Sequence, residues 1–269
     1  MKPQTVAVHG ATGAQGRPVV RQLVANGHQV RAITRRIADL ADVDALTEAY
    51  RDVDTVVLQM PLAFDDTPLR QAESVLAALG KAGVPCVVFN TSGVLPEAQV
   101  GVPFVDARVR LRTELPTVVD TVAVLAPAAF YLENLCGAWS ASLVAAGEVR
   151  YPMPAEAPIP WVAADDVAAV ITELVGATDP TPAQVVAGPE DLAGTDVAAR
   201  LSTVLKRTVQ WRTITPAEYK DMISPHVGPV TAAGIAAGYE TPASEPDPTL
   251  VRRGTTTVDT WAARQNWSA

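Results

Sequence analysis

Short apolar runs alternate with longer stretches whose apolar residues recur every three or four positions, and the alternation begins at once. Val6-Ala7-Val8-His9 is a compact run that ends in Gly10-Ala11-Thr12-Gly13-Ala14-Gln15-Gly16. The stretch after it places Val19, Val20, Leu23 and Val24 on a helical period. Pro18 sits in its first turn, where a missing N–H does no harm, and Asn26-Gly27 supplies its stop. Gln29 to Thr34 reads as a second strand, 43–50 as a helix and Asp54 to Pro61 as a buried strand. Next come a helix over 68–82, with Val75, Leu76, Ala78 and Leu79 on one face, and a strand from Val84 to Asn90. A helix from Phe104 to Leu115 and a strand from Thr121 to Leu125 follow.

The remaining chain is less regular. Val149 to Pro154 and Ile159 to Val162 read as short strands beside a mobile, proline-punctuated lid. Asp165-Asp166 opens a helix over Ala163 to Val175, since carboxylates suit a helix start. Val185 to Pro189 is a strand and turn, Thr195 to Leu205 a helix, and Val209 to Ile214 a strand. Thr215-Pro216-Ala217-Glu218 carries a capping box. Residues 241–248 form a loop, and Thr257 to Trp267 a terminal helix. Alternating strands and helices predict an α/β fold: a doubly wound parallel sheet with a smaller, less regular C-terminal substrate-facing subdomain. The expected core is 1–148, continued by 158–190; 149–157 and 191–269 form the subdomain.

The opening glycines, spaced G-x-x-G-x-x-G between a strand and a helix, read as a dinucleotide site. Glycine lets the backbone turn sharply and approach a phosphate, and the helix N-terminus offers it free N–H groups. A glycine-rich turn without a ligand is the alternative. Gly10, Thr12, Gly13, Ala14, Gln15 and Gly16 are the cradle candidates. Just past the second strand stand Thr34, Arg35 and Arg36, with no acid. A carboxylate there would bond a ribose 2′-hydroxyl and favour NAD, whereas arginine suits the 2′-phosphate of NADP. NADP(H) is therefore the expected cofactor, with simple solvation of the loop by one or both arginines as the alternative. The segment 37–42 is short, so a trimmed adenine wall is expected, lined by Asp39-Leu40. Open α/β sheets bind at the carboxyl ends of their strands. That places Gln59, Met60, Pro61, Thr91 and Pro127 among the cofactor candidates and Ser92 at the same edge, to touch substrate or nicotinamide or else to shape a turn.

Composition narrows the class. Of 269 residues, 48% are hydrophobic and 19% charged, which is globular and enough for a sizeable core. A formal net charge of −8 argues against general nucleic-acid binding. Neither Cys86 nor Cys136 belongs to a C-x-x-C pair and the three histidines are scattered, so no metal site is expected. Cys86, inside an apolar run, is expected to be a buried thiol. The chain runs straight into its first strand and no apolar run reaches membrane-spanning length, so a cytoplasmic protein, with no membrane contact, is expected. The expected partner is a small organic substrate; a homodimer is compatible with this class.

Several segments together carry a resemblance: Gly10 to Gly16, Phe89-Asn90-Thr91-Ser92-Gly93, Leu125 to Asn134 (like L-R-P-x-x-F-x-E-N), Ile159 to Ala168 (like I-x-W-V-x-x-x-D-V/I-A) and Ala187-Gly188-Pro189-Glu190. From Thr5 to about Trp261 the chain resembles the NmrA-like group of atypical short-chain dehydrogenases/reductases, which implies a Rossmann fold. That group includes NADPH-dependent quinone oxidoreductases, isoflavone-reductase relatives and regulators that bind NADP without turning it over. Catalytic short-chain reductases carry Tyr-x-x-x-Lys; the nearest register here is Phe104 to Arg108, and no lysine lies between Lys81 and Lys206. Ala126 also replaces the arginine of L-R-P. Arg108, in the register of that lysine, can still bond the nicotinamide ribose but is a poor proton donor. Ser92, Tyr131 and Arg108 are the catalytic candidates, and Phe64, Phe104, Phe130, Tyr131, Asn134 and Trp161 the substrate candidates, with ordinary packing the alternative for each aromatic. The implied activity is hydride transfer from NADPH to a quinone, enone or similar flat organic substrate, which needs no strong enzymatic acid. The alternatives are a non-catalytic redox sensor, or a biosynthetic enzyme acting on an imine or without redox chemistry.

Overall fold

In the computed structural model, residues 2–128, 130–177, 183–240 and 246–267 are described. They form a seven-stranded sheet flanked by helices and a separate two-stranded sheet. In chain order the first elements are β1 (Thr5–His9), α1 (Gly16–Ala25), β2 (Gln29–Ile33), α2 (Val43–Tyr50), β3 (Thr55–Gln59), α3 (Thr67–Ala82), β4 (Cys86–Asn90), α4 (Pro103–Glu114) and β5 (Thr121–Pro127). Then come α5 (Ala141–Ala146), β6 (Glu148–Tyr151), α6 (Ala164–Leu174), β7 (Gln184–Ala187), α7 (Gly194–Leu205), β8 (Gln210–Thr213), α8 (Pro216–Val227), α9 (Pro229–Gly238), β9 (Val251–Arg253) and α10 (Val258–Ala262).

The large sheet has the order β2-β1-β3-β4-β5-β7-β9, and each pair from β2 to β7 is parallel. Strands buried on both faces by crossover helices read as unbroken apolar runs, which is why β1, β3 and β4 stand out in the sequence. Strand order reverses at β1, with β2 on one side and β3 on the other, so a crevice opens at the carboxyl ends of β1 and β3.

The chain divides into two compact units: 1–127, 167–186 and 248–251 in the first, and 128–166, 187–247 and 252–269 in the second. Residues 128–148 thus group with the second unit and not with the amino-terminal core expected from sequence. The first unit packs α2, α3 and α4 against the sheet through Leu46, Tyr50, Val56, Leu79, Phe89 and Leu111, all fully buried. The second has its own core, built on Leu132, Tyr151, Trp161, Leu201, Ile223 and Trp261.

Four expectations change. Ile159 to Val162 is not a strand: it makes only isolated bridges, Ile159 to Leu192 and Val162 to Tyr131, because Pro158 and Pro160 cannot donate to a ladder. Trp161 there is 1% exposed and belongs to the second unit's core, not to a mobile lid. The terminal helix is one short segment, α10, capped by the Thr257 hydroxyl on the Thr260 N–H at 3.2 Å. Cys86, at the start of β4, is half-buried. Of the 241–248 loop, 241–245 lie outside the described residues. No described helix is long and apolar enough to cross a membrane.

Candidate functional site

The glycine turn joins β1 to α1 in a form that only glycine allows. Gly10 adopts a left-handed φ of 60°. Its carbonyl accepts the Gly13 N–H at 2.8 Å, and the Gly13 carbonyl accepts the Arg17 N–H at 3.0 Å. A Cβ on Gly16 would run into the Gly10 carbonyl, so the helix can start this close to the strand only with glycine at that position. Arg17 is held on the turn by its Nε, which donates to the Thr12 carbonyl at 2.7 Å. Thr12 and Ala14 are exposed on the turn and Gln15 is partly exposed.

A cavity of about 560 Å³ opens beside this turn. Gly10, Thr12, Gly13, Thr34, Arg35 and Pro61 line it together with His9, Ala38, Leu40, Leu62, Ala63, Asp65, Thr67 and Gln71. Its size and its apolar walls with a few polar groups suit a nucleotide. The N–H groups of Ile37 and Ala38 both turn back onto the Thr34 carbonyl, at 2.9 and 3.0 Å, which bends the chain after β2 and sets Arg35 at the cavity. Arg36 is exposed and is not part of the lining. Asp39 is also absent from the lining; its carboxylate accepts the Ala41 N–H at 2.8 Å, while its neighbours Ala38 and Leu40 form the wall. Gly10, Gly16 and Arg35 thus meet three needs of an NADP-like dinucleotide: close approach, a free helix end and a cation for a 2′-phosphate.

Two buried polar residues in the lining are invisible as candidates in the sequence. His9 is 1% exposed, with Nε2 2.6 Å from the Tyr50 hydroxyl. Burial pulls its pKa down to about 4, so it is neutral at physiological pH. Gln71 is 9% exposed, and its Oε1 has no hydrogen-bond partner among the described residues.

The strand ends behind the turn carry a chain of side-chain amides. Gln59 donates to the His9 carbonyl at 3.1 Å, and Asn90 donates to both Gln59 Oε1 (3.2 Å) and Gln15 Oε1 (3.1 Å). Asn90 Oδ1 accepts the Ser92 N–H at 2.9 Å, closing a turn in which Ser92 has a left-handed φ of 60°. That backbone state is rare for a non-glycine residue and is held here by the Asn90 side chain. The Thr91 hydroxyl faces the carbonyls of Gly93 (2.6 Å) and Leu125 (3.2 Å), inside the turn. Pro127 closes β5, paired with Val186.

Arg108 is 1% exposed. Its guanidinium donates to the carbonyls of Phe104 (2.7 Å), Met60 (2.9 Å) and Pro61 (3.3 Å), and no carboxylate pairs with it among the described residues. It lies 3.6 Å above the Phe104 ring, which stacks on Phe64 at 5.0 Å. Burial lowers its pKa to about 9, leaving it protonated at neutral pH. Arg108 therefore ties α4 to the loop after β3 that walls the cavity. Phe64 and Phe104, separate in sequence, form one aromatic stack.

The remaining candidates lie in the second unit. Tyr131 is 8% exposed and bridges to Val162. Phe130 packs on Tyr239 (5.3 Å), Tyr151 (5.7 Å) and Trp161 (5.9 Å). Asn134 donates to the Tyr151 hydroxyl at 3.2 Å, and the Tyr239 hydroxyl donates to the same oxygen at 2.9 Å. Phe130, Asn134 and Trp161 thus converge on Tyr151, a residue the sequence does not mark because Tyr239 lies 88 positions away. Burial raises the pKa of both Tyr151 and Tyr239 well above the ordinary tyrosine value. Glu133 accepts the Ala164 N–H at the start of α6 (3.1 Å) and the Trp261 indole N–H (3.0 Å), which is a structural role.

The sequence model of the NmrA-like family matches residues 2–237. The chain belongs to the NmrA-like family. Among curated proteins, it is 27% identical over 238 residues to an NAD(P)H azoreductase from Xenophilus azovorans, covering 81% of this chain and 80% of that one. It is 31% identical over 224 residues, 77% of this chain and 76% of the relative, to a (4-alkanoyl-5-oxo-2,5-dihydrofuran-3-yl)methyl phosphate reductase from Streptomyces griseus. The NADP(H) complex of the Citrobacter sp. triphenylmethane reductase shares the fold, with a TM-score of 0.70 at 18% identity over 96% of this chain and 99% of that one.

Proposed function

We propose that this NmrA-like protein is an NADPH-dependent oxidoreductase that reduces a flat, conjugated organic acceptor such as a quinone or an enone. The carrying observation is the cavity at the β1–β3 crevice, where the Gly10–Gly16 turn and Arg35 meet. Bound NADPH supplies the hydride. The glycine turn and the start of α1 hold its diphosphate, Arg35 holds the 2′-phosphate, and Pro61 and Leu62 exclude water from one wall. The relatives' names support the general activity: two reductases similar in sequence and one that shares the fold, named for an azo compound, an oxo-dihydrofuran and a triphenylmethane.

The acceptor class follows from what this chain lacks. Phe104 stands in the register of the reductase tyrosine and has no proton to give, and Arg108 donates to backbone carbonyls. A conjugated acceptor spreads the charge it gains, so water can deliver the proton. Phe64 and Phe104 offer a stacked aromatic surface for such a molecule. Ser92, whose backbone N–H is held by Asn90 just past β4, is our candidate for the hydroxyl that orients it.

Purified protein mixed with NADPH and a panel of quinones and conjugated enones is expected to consume the nicotinamide absorbance, faster with NADPH than with NADH. Tight NADPH binding with no turnover across the panel would replace this reading with that of a redox sensor. The absence of the tyrosine and of any lysine between Lys81 and Lys206 favours that second reading.

A further inference from the structure

A carboxamide's two ends are interchangeable in shape but not in hydrogen bonding, so fixed partners dictate its orientation. The amide chain behind the glycine turn has such a partner at each end. The His9 carbonyl can only accept, so the end of Gln59 that faces it at 3.1 Å is the NH2 group. The Ser92 backbone N–H can only donate, so the end of Asn90 that faces it at 2.9 Å is the oxygen. Both anchors demand the same polarity of the link between them: Asn90 Nδ2 to Gln59 Oε1, 3.2 Å. Reversing either amide would set oxygen against oxygen and nitrogen against nitrogen at positions 0% and 8% exposed, where water offers little relief. The same Asn90 Nδ2 also donates to Gln15 Oε1 at 3.1 Å. The oxygen of Gln15 is thereby occupied, and its NH2 group has no partner among the described residues.

The geometry points to Asn90 as a positioning residue that fixes the Gln15 carboxamide with its NH2 group toward the diphosphate of the bound dinucleotide. This rests on the dinucleotide reading of the turn and adds a cause for its polarity. A diphosphate only accepts hydrogen bonds, so a Gln15 turned the other way would oppose it. Gln59 acts one step further back, holding Asn90 between two strand ends.

The test measures NADPH dissociation constants by titration for the wild type, Asn90→Asp, Gln15→Leu and the double variant. The carboxylate introduced by Asn90→Asp can only accept, so it draws the Gln15 NH2 inward and turns the Gln15 oxygen to the diphosphate. Asn90→Asp is expected to weaken NADPH about tenfold or more, and Gln15→Leu by a similar factor. In the Gln15→Leu background, Asn90→Asp should add less than about threefold. Adenosine 2′-monophosphate, which has no diphosphate, should bind all four proteins alike. An equal effect of Asn90→Asp in both backgrounds, or an equal loss of both ligands, would overturn the proposal. If Asn90→Asp fails to fold, Gln15→Glu should weaken NADPH more than Gln15→Leu does; an unchanged affinity in both overturns it. A wild type that binds adenosine 2′-monophosphate but not NADPH would instead strike the dinucleotide reading, and the proposal with it.

Discussion

Arg35 is the residue on which cofactor choice turns. It lines the cavity just past β2, and neither of its chain neighbours, Thr34 and Arg36, is an acid that could claim a ribose hydroxyl. A hydrogen bond between charged groups contributes about 1.5–3 kcal/mol. Arg35→Ala should therefore raise the dissociation constant for NADPH by roughly tenfold to a hundredfold and leave that for NADH nearly unchanged. Equal losses for both would show that Arg35 does not read the 2′-phosphate. Arg36, exposed and outside the lining, should matter little. Residues like Arg35 are legible in sequence because their position relative to a strand end carries the chemistry. Asn90, Gln71 and Tyr151 are not, because what defines each is a partner, a cavity or a ring brought in from distant sequence.

At the scale of elements, the glycine turn is the least forgiving join in the chain. Gly16→Ala should disrupt NADPH binding far more than overall folding, since the clash with the Gly10 carbonyl can be relieved only by moving the turn away from α1. A thermal melt near that of the wild type, together with lost affinity in a titration, is the expected pair of results; retained affinity would mean that the turn yields without consequence. Most elements of the first unit are legible as apolar runs and helical periods, down to α2 at 43–50. What escapes has a physical reason. Helix α9, Pro229 to Gly238, is built from alanine, glycine and a few apolar residues, so it has no polar face to show a period. Strand β9 is only three residues long. Ile159 to Val162 has a strand's apolar content, but its prolines reduce it to single bridges.

For the molecule as a whole, the buried His9 couples folding to acidity. Its pKa is about 4 when folded, against an ordinary value of 6.5. Between those values the unfolded chain binds a proton that the folded chain does not, so stability falls as pH drops from 6.5 towards 4. The group adds a slope of up to about 1.4 kcal/mol per pH unit. In denaturant titrations across this window, His9→Gln should lose stability less steeply than the wild type by close to one proton. An identical slope would place the titration elsewhere. Two compact units, each with its own core, also explain why the carboxyl-terminal part is the hardest to read from sequence. Its core is aromatic and assembled from segments far apart, so no local pattern announces it.

The loop after β3 serves two parties. Pro61, Leu62, Ala63 and Asp65 wall the cavity proposed for the nucleotide, Phe64 between them stacks on Phe104, and Arg108 pins the loop's first carbonyls. On the proposed function, 61–65 is shared hardware, in which an exchange made to widen the range of acceptors also reshapes the proposed seat of the coenzyme. The bend after β2 sets Arg35 at the cavity, and a change of coenzyme preference is best begun there.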